Sequence, residues 1–498
     1  MKLHNIRVVL AIIFFVLINI LLLDFTGTAH HWLGWMAKIQ FLPAVLALNV
    51  IVVIGLLLLT LIFGRIYCSV ICPLGVMQDI FSRLHTWRKK NRFTYSPALT
   101  WLRLAVLVVF IVVLVAGIGS LVALLAPYSA YGRIANNLLQ PVYIWCNNGL
   151  AAIAEHYNSY AFYSKEVWLK SLPTFIIAVL TLVVIGILAW KNGRTYCNTI
   201  CPVGTVLGYV AKFSLFKVRF NEEKCKDCSL CTKNCKASCI DFKTHTVDYT
   251  RCVTCGDCLL KCKFGALSYS PVKAKSTKKT EPVAEKSATD EARRAFLIGS
   301  SVVAADAALA QAGKKVDGGL AVIEDKVVPK RTTPLTPPGS VSAKNMAQHC
   351  TGCQLCVAQC PNDVLRPSGN LLTLMQPTMS YERGYCRPEC NRCSQVCPAG
   401  AIRPIGLDDK SAIQIGHAVW VKKNCVVLTD GVSCGNCARH CPSGAIMMVP
   451  SDPDDDLSPM VPAVDAAKCI GCGACEYVCP ARPFSAIYVE GHEVHKII

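Results

Sequence analysis

Twenty-four of the chain's 30 cysteines stand in six groups of four, and no other feature restricts its fold as much. The first two groups are CKDCSLCTKNC, with Cys225, Cys228, Cys231 and Cys235, and CVTCGDCLLKC, with Cys252, Cys255, Cys258 and Cys262. Both read C-x2-C-x2-C-x3-C. At that spacing three thiolates of one run take three corners of a 4Fe-4S cube, and the fourth crosses to a second cube held by the other run. A zinc site instead presents two short Cys/His pairs parted by a longer loop. Two features depart from the usual pattern: Lys236 and Lys263 replace proline after the fourth cysteine, and Cys239 competes with Cys235 as fourth ligand.

Four more groups follow. They are CTGCQLCVAQCP (Cys350, Cys353, Cys356, Cys360), CRPECNRCSQVCP (Cys386, Cys390, Cys393, Cys397), Cys425 with CGNCARHCP (Cys434, Cys437, Cys441), and CIGCGACEYVCP (Cys469, Cys472, Cys475, Cys479). Each ends in Cys-Pro, and the second and third stretch the first gap to three and eight residues. This spacing implies four further cubes, six 4Fe-4S clusters in all, rather than disulfides. CxxCH does not occur, so that signature of c-type haem is absent. Nor is there a glycine-rich nucleotide fingerprint for NAD or flavin.

The N-terminal half is different. With 498 residues, 53% of them hydrophobic, the chain is too apolar to be wholly soluble. Four apolar runs reach the roughly 20 residues of a membrane helix: Val8 to Leu23, Ile39 to Phe63, Trp101 to Leu125 and Pro173 to Trp190. Lys2 and Arg7 precede the first, and Arg65, Arg83, Arg88, Lys89, Lys90 and Arg92 follow the second, which sets these segments in the cytoplasm. The loops at 27–38 and 126–172 are poor in net charge and should face outward; Lys191, Arg194, Lys212, Lys217 and Arg219 mark the return. The chain carries 51 Lys and Arg against 32 Asp and Glu, whereas residues 341–498 hold 13 against 14. All the positive excess therefore lies before residue 341, in the part of the chain that holds the apolar runs, and no nucleic-acid partner is expected.

Within this half a motif repeats, GRIYCSVICPLG at 64–75 and GRTYCNTICPVG at 193–204. Each copy follows an even-numbered run, so Cys68, Cys72, Cys197 and Cys201 should meet at one membrane face, as a redox or metal site. The plainer reading is that the Cys-Pro turns only end helices and pack together.

The fold expected is an α-helical membrane domain of four transmembrane helices (1–220), a two-cluster α+β bacterial-ferredoxin-like domain (221–270), a linker region (271–345) and a four-cluster ferredoxin-type domain (346–498). Inside the linker, at 291–313, EARRAFLIGSSVVAADAALAQAG places Arg293, Arg294, Phe296 and Leu297 ahead of a mild apolar stretch ending in Ala310-Gln311-Ala312. This is similar to a twin-arginine export signal, with Ala292 and Ile298 off pattern. Such a signal would carry a folded, cluster-loaded domain outside. The competing reading, an alanine-rich linker helix, leaves every cluster in the cytoplasm.

On these motifs, residues 1–270 resemble NapH-type quinol dehydrogenase membrane subunits and residues 291–498 resemble NapG/MauM ferredoxin-type proteins. The carriers are the two YCxxxCP copies, the paired ferredoxin runs, and the twin-arginine stretch before four cysteine groups. The resemblance implies a fusion in the bacterial inner membrane that passes electrons from the quinol pool to a periplasmic reductase or cytochrome in anaerobic respiration. An electron-supplying maturation factor for a periplasmic metalloenzyme is the rival. Quinol oxidation also releases protons, for which His30 and His31 in the first outer loop are possible acceptors.

Overall fold

The computed structural model describes residues 2–86, 93–271, 315–316, 322–323, 325–455 and 457–498. The twin-arginine-like segment at 291–313 lies outside them.

Two helices are long and apolar enough to cross a membrane, Leu3–Leu23 and Leu172–Asn192, matching the first and fourth apolar runs. The other two expected spans are broken, which corrects the count of four continuous helices. Ile39 to Phe63 divides into Phe41–Leu46 and Val50–Phe63. Leu48 between them is left-handed at φ 52°, and Asn49 caps the second helix by accepting from Val52 N at 3.3 Å. Trp101 to Leu125 divides into Thr100–Val115 and Gly119–Leu125, with Gly117 turning the chain at φ 74°. The longer piece of each keeps a bare apolar side: Ile51, Ile54 and Leu58 on one, Val108, Val112 and Val115 on the other, are exposed.

Between these helices lies a core of short buried ones. Ile66–Val70 and Thr195–Thr199 carry the first cysteine of each repeat, and Pro73–Thr86 and Pro202–Ala211 follow the second. Proline at the first helical position suits the start of both latter helices, because its missing N–H is unneeded there.

Two ferredoxin-type domains attach to this core. In the first, Phe216–Phe220 pairs antiparallel with Leu267–Pro271, closing a sheet over the short helices Leu230–Lys233 and Asp257–Lys261. In the second, Ile413–Trp420 pairs with Ile487–Ile497, Ile446–Pro450 with Met460–Val464, and Leu365–Pro367 with Pro377–Met379.

The helix Leu3–Leu23 fixes where the domains sit. Near its start, His4 Nε2 lies 3.1 Å from Asp257 Oδ1 of the first domain. Just beyond its end, the Asp24 carbonyl accepts from Gln359 Nε2 of the second at 2.6 Å. A helix of 21 residues at about 1.5 Å each separates these contacts by about 30 Å. The two domains thus occupy opposite ends of the helical core.

Candidate functional site

The cysteine loops share a backbone device. In four of the six groups, the residues two and four after the first cysteine are left-handed: Asp227 and Ser229, Thr254 and Gly256, Gly352 and Gln354, Gly471 and Gly473. Alternating conformations of this kind curl the chain so that successive N–H groups point inward, a concavity suited to an anion. Among the described residues, the two groups with stretched gaps lack it. Backbone N–H groups also donate to sulfur, from Gly352 to Cys350 Sγ at 3.4 Å, Ala445 to Cys441 Sγ at 3.3 Å and Ala486 to Cys479 Sγ at 3.3 Å. Such loops fit an anionic iron-sulfur group bound through thiolates.

Ligand sets cross between groups. Cys225, Cys228 and Cys231 face Cys262, while Cys252, Cys255 and Cys258 face both Cys235 and Cys239. Cys239, the rival to Cys235, stands beside it with the sulfurs 3.6 Å apart. A hydrogen bond from Cys239 holds the Cys235 thiol down at about 7 against the effect of burial. In the second domain Cys350, Cys353 and Cys356 face Cys397, and Cys386, Cys390 and Cys393 face Cys360. Likewise Cys425, Cys434 and Cys437 face Cys479, and Cys469, Cys472 and Cys475 face Cys441. Among the described residues no three cysteine sulfurs lie within 4.8 Å of one another. A single zinc, with Zn–S near 2.3 Å, would draw them to about 3.8 Å.

The four repeat cysteines also come together. Cys68, Cys72, Cys197 and Cys201 are buried in one cluster, each within electrostatic reach of the other three. The arginines preceding them clasp across the repeat: Arg65 Nη2 donates to the Cys197 carbonyl at 3.1 Å, and Arg194 Nη1 to the Cys68 carbonyl at 2.5 Å. Arg65 Nη2 also approaches Cys68 Sγ at 3.8 Å, and Gln78 Nε2 donates to Cys197 Sγ at 3.2 Å. Arg194 is neutralised by Asp79, whose Oδ1 accepts from its Nε at 2.7 Å. Arg65 is fully buried, and among the described residues no carboxylate pairs with it. A buried guanidinium needs a negative partner, and the thiols beside it are what can supply one.

Further residues link this group to both domains; of these the sequence marks Arg65 only for its charge and Tyr196 only as part of the repeated motif. Arg65 Nη1 donates to the Thr250 carbonyl at 3.0 Å, two residues before Cys252. Tyr196, next to Cys197, donates to the Leu125 carbonyl at 2.9 Å. From there Pro127–Ile134 runs under the second domain, and Gly132 packs against the Cys353 carbonyl so closely that an added Cβ would lie 2.4 Å from it. A signal for some of this existed: the repeat extends past its cysteines to Gly-Arg and Tyr. Nothing in the sequence pointed to Asp79, Gln78 or Gly132. Cys146 is exposed on the helix Gln140–His156, apart from every group. His30 and His31 lie on the short helix Thr28–Leu33, with His30 beside the backbone of Gln395 and His31 against Trp32.

Two family models match the chain, one over the repeat and one over the second domain. The 4Fe-4S binding domain family matches residues 45–92 and 171–221, the two segments that hold the repeat, and the 4Fe-4S dicluster domain family matches 349–409 and 432–482. An uncharacterised protein of Methanocaldococcus jannaschii is 37% identical over 21% of this chain and 42% of its own length. YccM of Escherichia coli, described as an electron transport protein, is 26% identical over 43% of this chain and 54% of its own length. The chain thus spans about half the length of these two relatives. A methylamine utilization ferredoxin-type protein, MauM, of Methylobacillus flagellatus is 33% identical over 32% of this chain and 70% of its own length.

Proposed function

This chain belongs, over about a third of its length, to the family of MauM ferredoxin-type proteins, and from that premise we propose that it carries electrons between a membrane hydroquinone and a periplasmic acceptor. The protein is an iron-sulfur electron-transport protein of ferredoxin type. The finer reading is a fusion of a NapH-type membrane subunit, crossing the inner membrane through two long helices and two broken ones, with a NapG/MauM-type domain outside. Six 4Fe-4S clusters are held by the six crossed sets, with Cys235 rather than Cys239 in the second. Cys68, Cys72, Cys197 and Cys201 form a further redox centre between the domains.

The observation that carries this reading is the position of those four thiols. They lie between domains at opposite ends of the core, joined to one through Arg65 and Thr250 and to the other through Tyr196, Leu125 and Gly132. Iron-sulfur cubes supply one-electron steps, while hydroquinone gives up two electrons and two protons in becoming quinone. The residues of this chain bind and space the centres, exclude water from the repeat cysteines and hold their negative charge against Arg65 and Arg194.

Two experiments test the reading. Purified protein in detergent, with its clusters intact, should be reduced by a soluble menaquinol analogue within seconds; reduction by dithionite alone would leave only an electron-supplying factor. An epitope inserted at exposed Leu457 should be accessible in spheroplasts, and one at exposed Glu223 only after lysis. Protection of both would put every cluster in the cytoplasm.

A further inference from the structure

A cavity of about 350 Å³ lies at the end of the helical core that meets the second ferredoxin domain. It is framed by the helix Gln140–His156, the turn preceding Leu172–Asn192, and Asp363 of the second domain. Its size is that of a small-molecule site. The two sides differ in chemistry. Val142, Trp145 and Leu169 at its mouth are exposed, and they continue the bare apolar surface of the helical core. Asn136, Gln140 and Lys170 form the opposite wall.

Lys170 is the centre of that wall. Its Nζ donates to Asn136 Oδ1 and Gln140 Oε1, both at 3.0 Å. An ammonium has three N–H groups, so these contacts leave one donor. Asn136 and Asn137 in turn donate to Gln354 Oε1 at 3.1 and 2.9 Å, and Gln354 sits in the loop between Cys353 and Cys356. Lys170 is also within electrostatic reach of Cys356 and Cys360. These two cysteines belong to different crossed sets, one completed by Cys397 and the other by Cys386, Cys390 and Cys393. A ring held against Lys170 would therefore lie within electrostatic reach of a ligand of each of two separate one-electron acceptors.

We propose that this cavity binds the head group of a lipid-soluble hydroquinone, with Lys170 donating to one ring oxygen and the tail leaving past Val142 and Trp145. This rests on the hydroquinone reading above and gives it a place and a face of the membrane. Oxidation to the quinone would release two electrons, for which Cys350, Cys353, Cys356 and Cys397 would hold one one-electron 4Fe-4S acceptor and Cys386, Cys390, Cys393 and Cys360 the other. Its two phenolic protons pass to water at the rim, where Lys165 and exposed Glu166 stand. An anionic phospholipid is the other molecule that an apolar mouth with a half-buried lysine would take; the cavity's place near two redox centres favours the hydroquinone.

The test uses the full-length, cluster-loaded protein in nanodiscs and a photoreactive azidoquinone. Illumination should label peptides from 136–145 and 165–175, and Val142→Trp, which fills the mouth, should abolish that labelling. Lys170→Met should raise the menaquinol-analogue concentration for half-maximal cluster reduction by about tenfold, the effect of losing one charge-assisted hydrogen bond. Reduction by dithionite, which bypasses the site, should be unchanged in both variants and reports that they fold. Labelling elsewhere with turnover intact overturns the site but leaves the hydroquinone function standing. Labelling at the cavity without turnover leaves the site and overturns the function. Co-purified phospholipid cross-linked at Lys170, with turnover indifferent to Lys170→Met, overturns the proposal in favour of a structural lipid.

Discussion

Arg65 donates to the carbonyl of Cys197, 132 residues away, at 3.1 Å, and Arg194 returns the same contact to Cys68. The repeat is thus a pair of half-sites, each cysteine loop held by the arginine of the other. Arg194 also meets Asp79, which accepts from Lys236 Nζ at 3.0 Å and from Arg7, so one buried carboxylate ties both repeats, the first helix and the first ferredoxin domain together. Arg194→Met leaves Asp79 with Arg7 and Lys236 but strips the Cys68 carbonyl of its buried donor, which costs about 1–3 kcal/mol. The denaturation midpoint should fall by the equivalent of that loss in unfolding free energy, with the repeat cysteines becoming reactive to thiol reagents. An unchanged midpoint would mean that the network is not closed as described.

Cys235 and Cys239 compete for one cube. Both line the site with Cys252, Cys255 and Cys258, and their sulfurs lie 3.6 Å apart; Cys235, at the ferredoxin spacing, is assigned as the ligand. Cys239→Ala should keep its full iron content. Cys235→Ala with Cys239→Ala should lose about four iron atoms per chain, the content of one cube. Iron and sulfide assays on purified variants decide it, and loss of a cube from Cys239→Ala alone would reverse the assignment.

Gly132 has no room for a side chain against Cys353, whereas Gly149, on the exposed face of its helix, meets nothing within 4 Å. Gly132→Ala should destabilise the docking of the second domain by about 1–3 kcal/mol, as overpacking does. Gly149→Ala should be neutral or stabilising by up to about 1 kcal/mol, since alanine is the better helix former. Thermal unfolding of both variants gives the contrast.

His495 supplies a pH dependence. Burial, with His492 nearby, holds its pKa down to about 4, and its Nε2 lies 3.0 Å from Thr336 Oγ1. The folded value is below the unfolded one of about 6.5, so the stability from the neutral ring is complete above about pH 6.5 and is lost as pH falls toward 4. Between pH 6.5 and 5 the second ferredoxin domain should lose on the order of 2 kcal/mol. In His495→Gln that part of the slope should vanish, which calorimetry across this pH range would measure.

The cysteine groups, the repeat and the apolar runs are legible in the sequence because each is local. A cube needs three thiols within one loop, and a span needs a length of apolar residues. The breaks at Leu48 and Gly117 carry only a weak local mark: Asn49 in the first run and Gly117, Gly119 and Ser120 in the second are turn formers, but each run as a whole keeps the apolar length of a span, and that length dominated the reading. Nor was the partner of each cysteine group in the second domain, because identical spacing makes the groups interchangeable until packing selects among them.

The sequence by itself determined that iron-sulfur loops are attached to an apolar helical core, because ligand spacing and hydrophobic length act over a few residues. Only the tertiary structure decided which thiols meet, that the two ferredoxin domains stand at opposite ends, and that Lys170 faces a cavity beside Cys356 and Cys360. These depend on contacts between residues far apart in the chain, such as Asn137 with Gln354 or Asp24 with Gln359. Such pairs leave no trace in local periodicity, because their energy exists only once the chain has folded to bring them together.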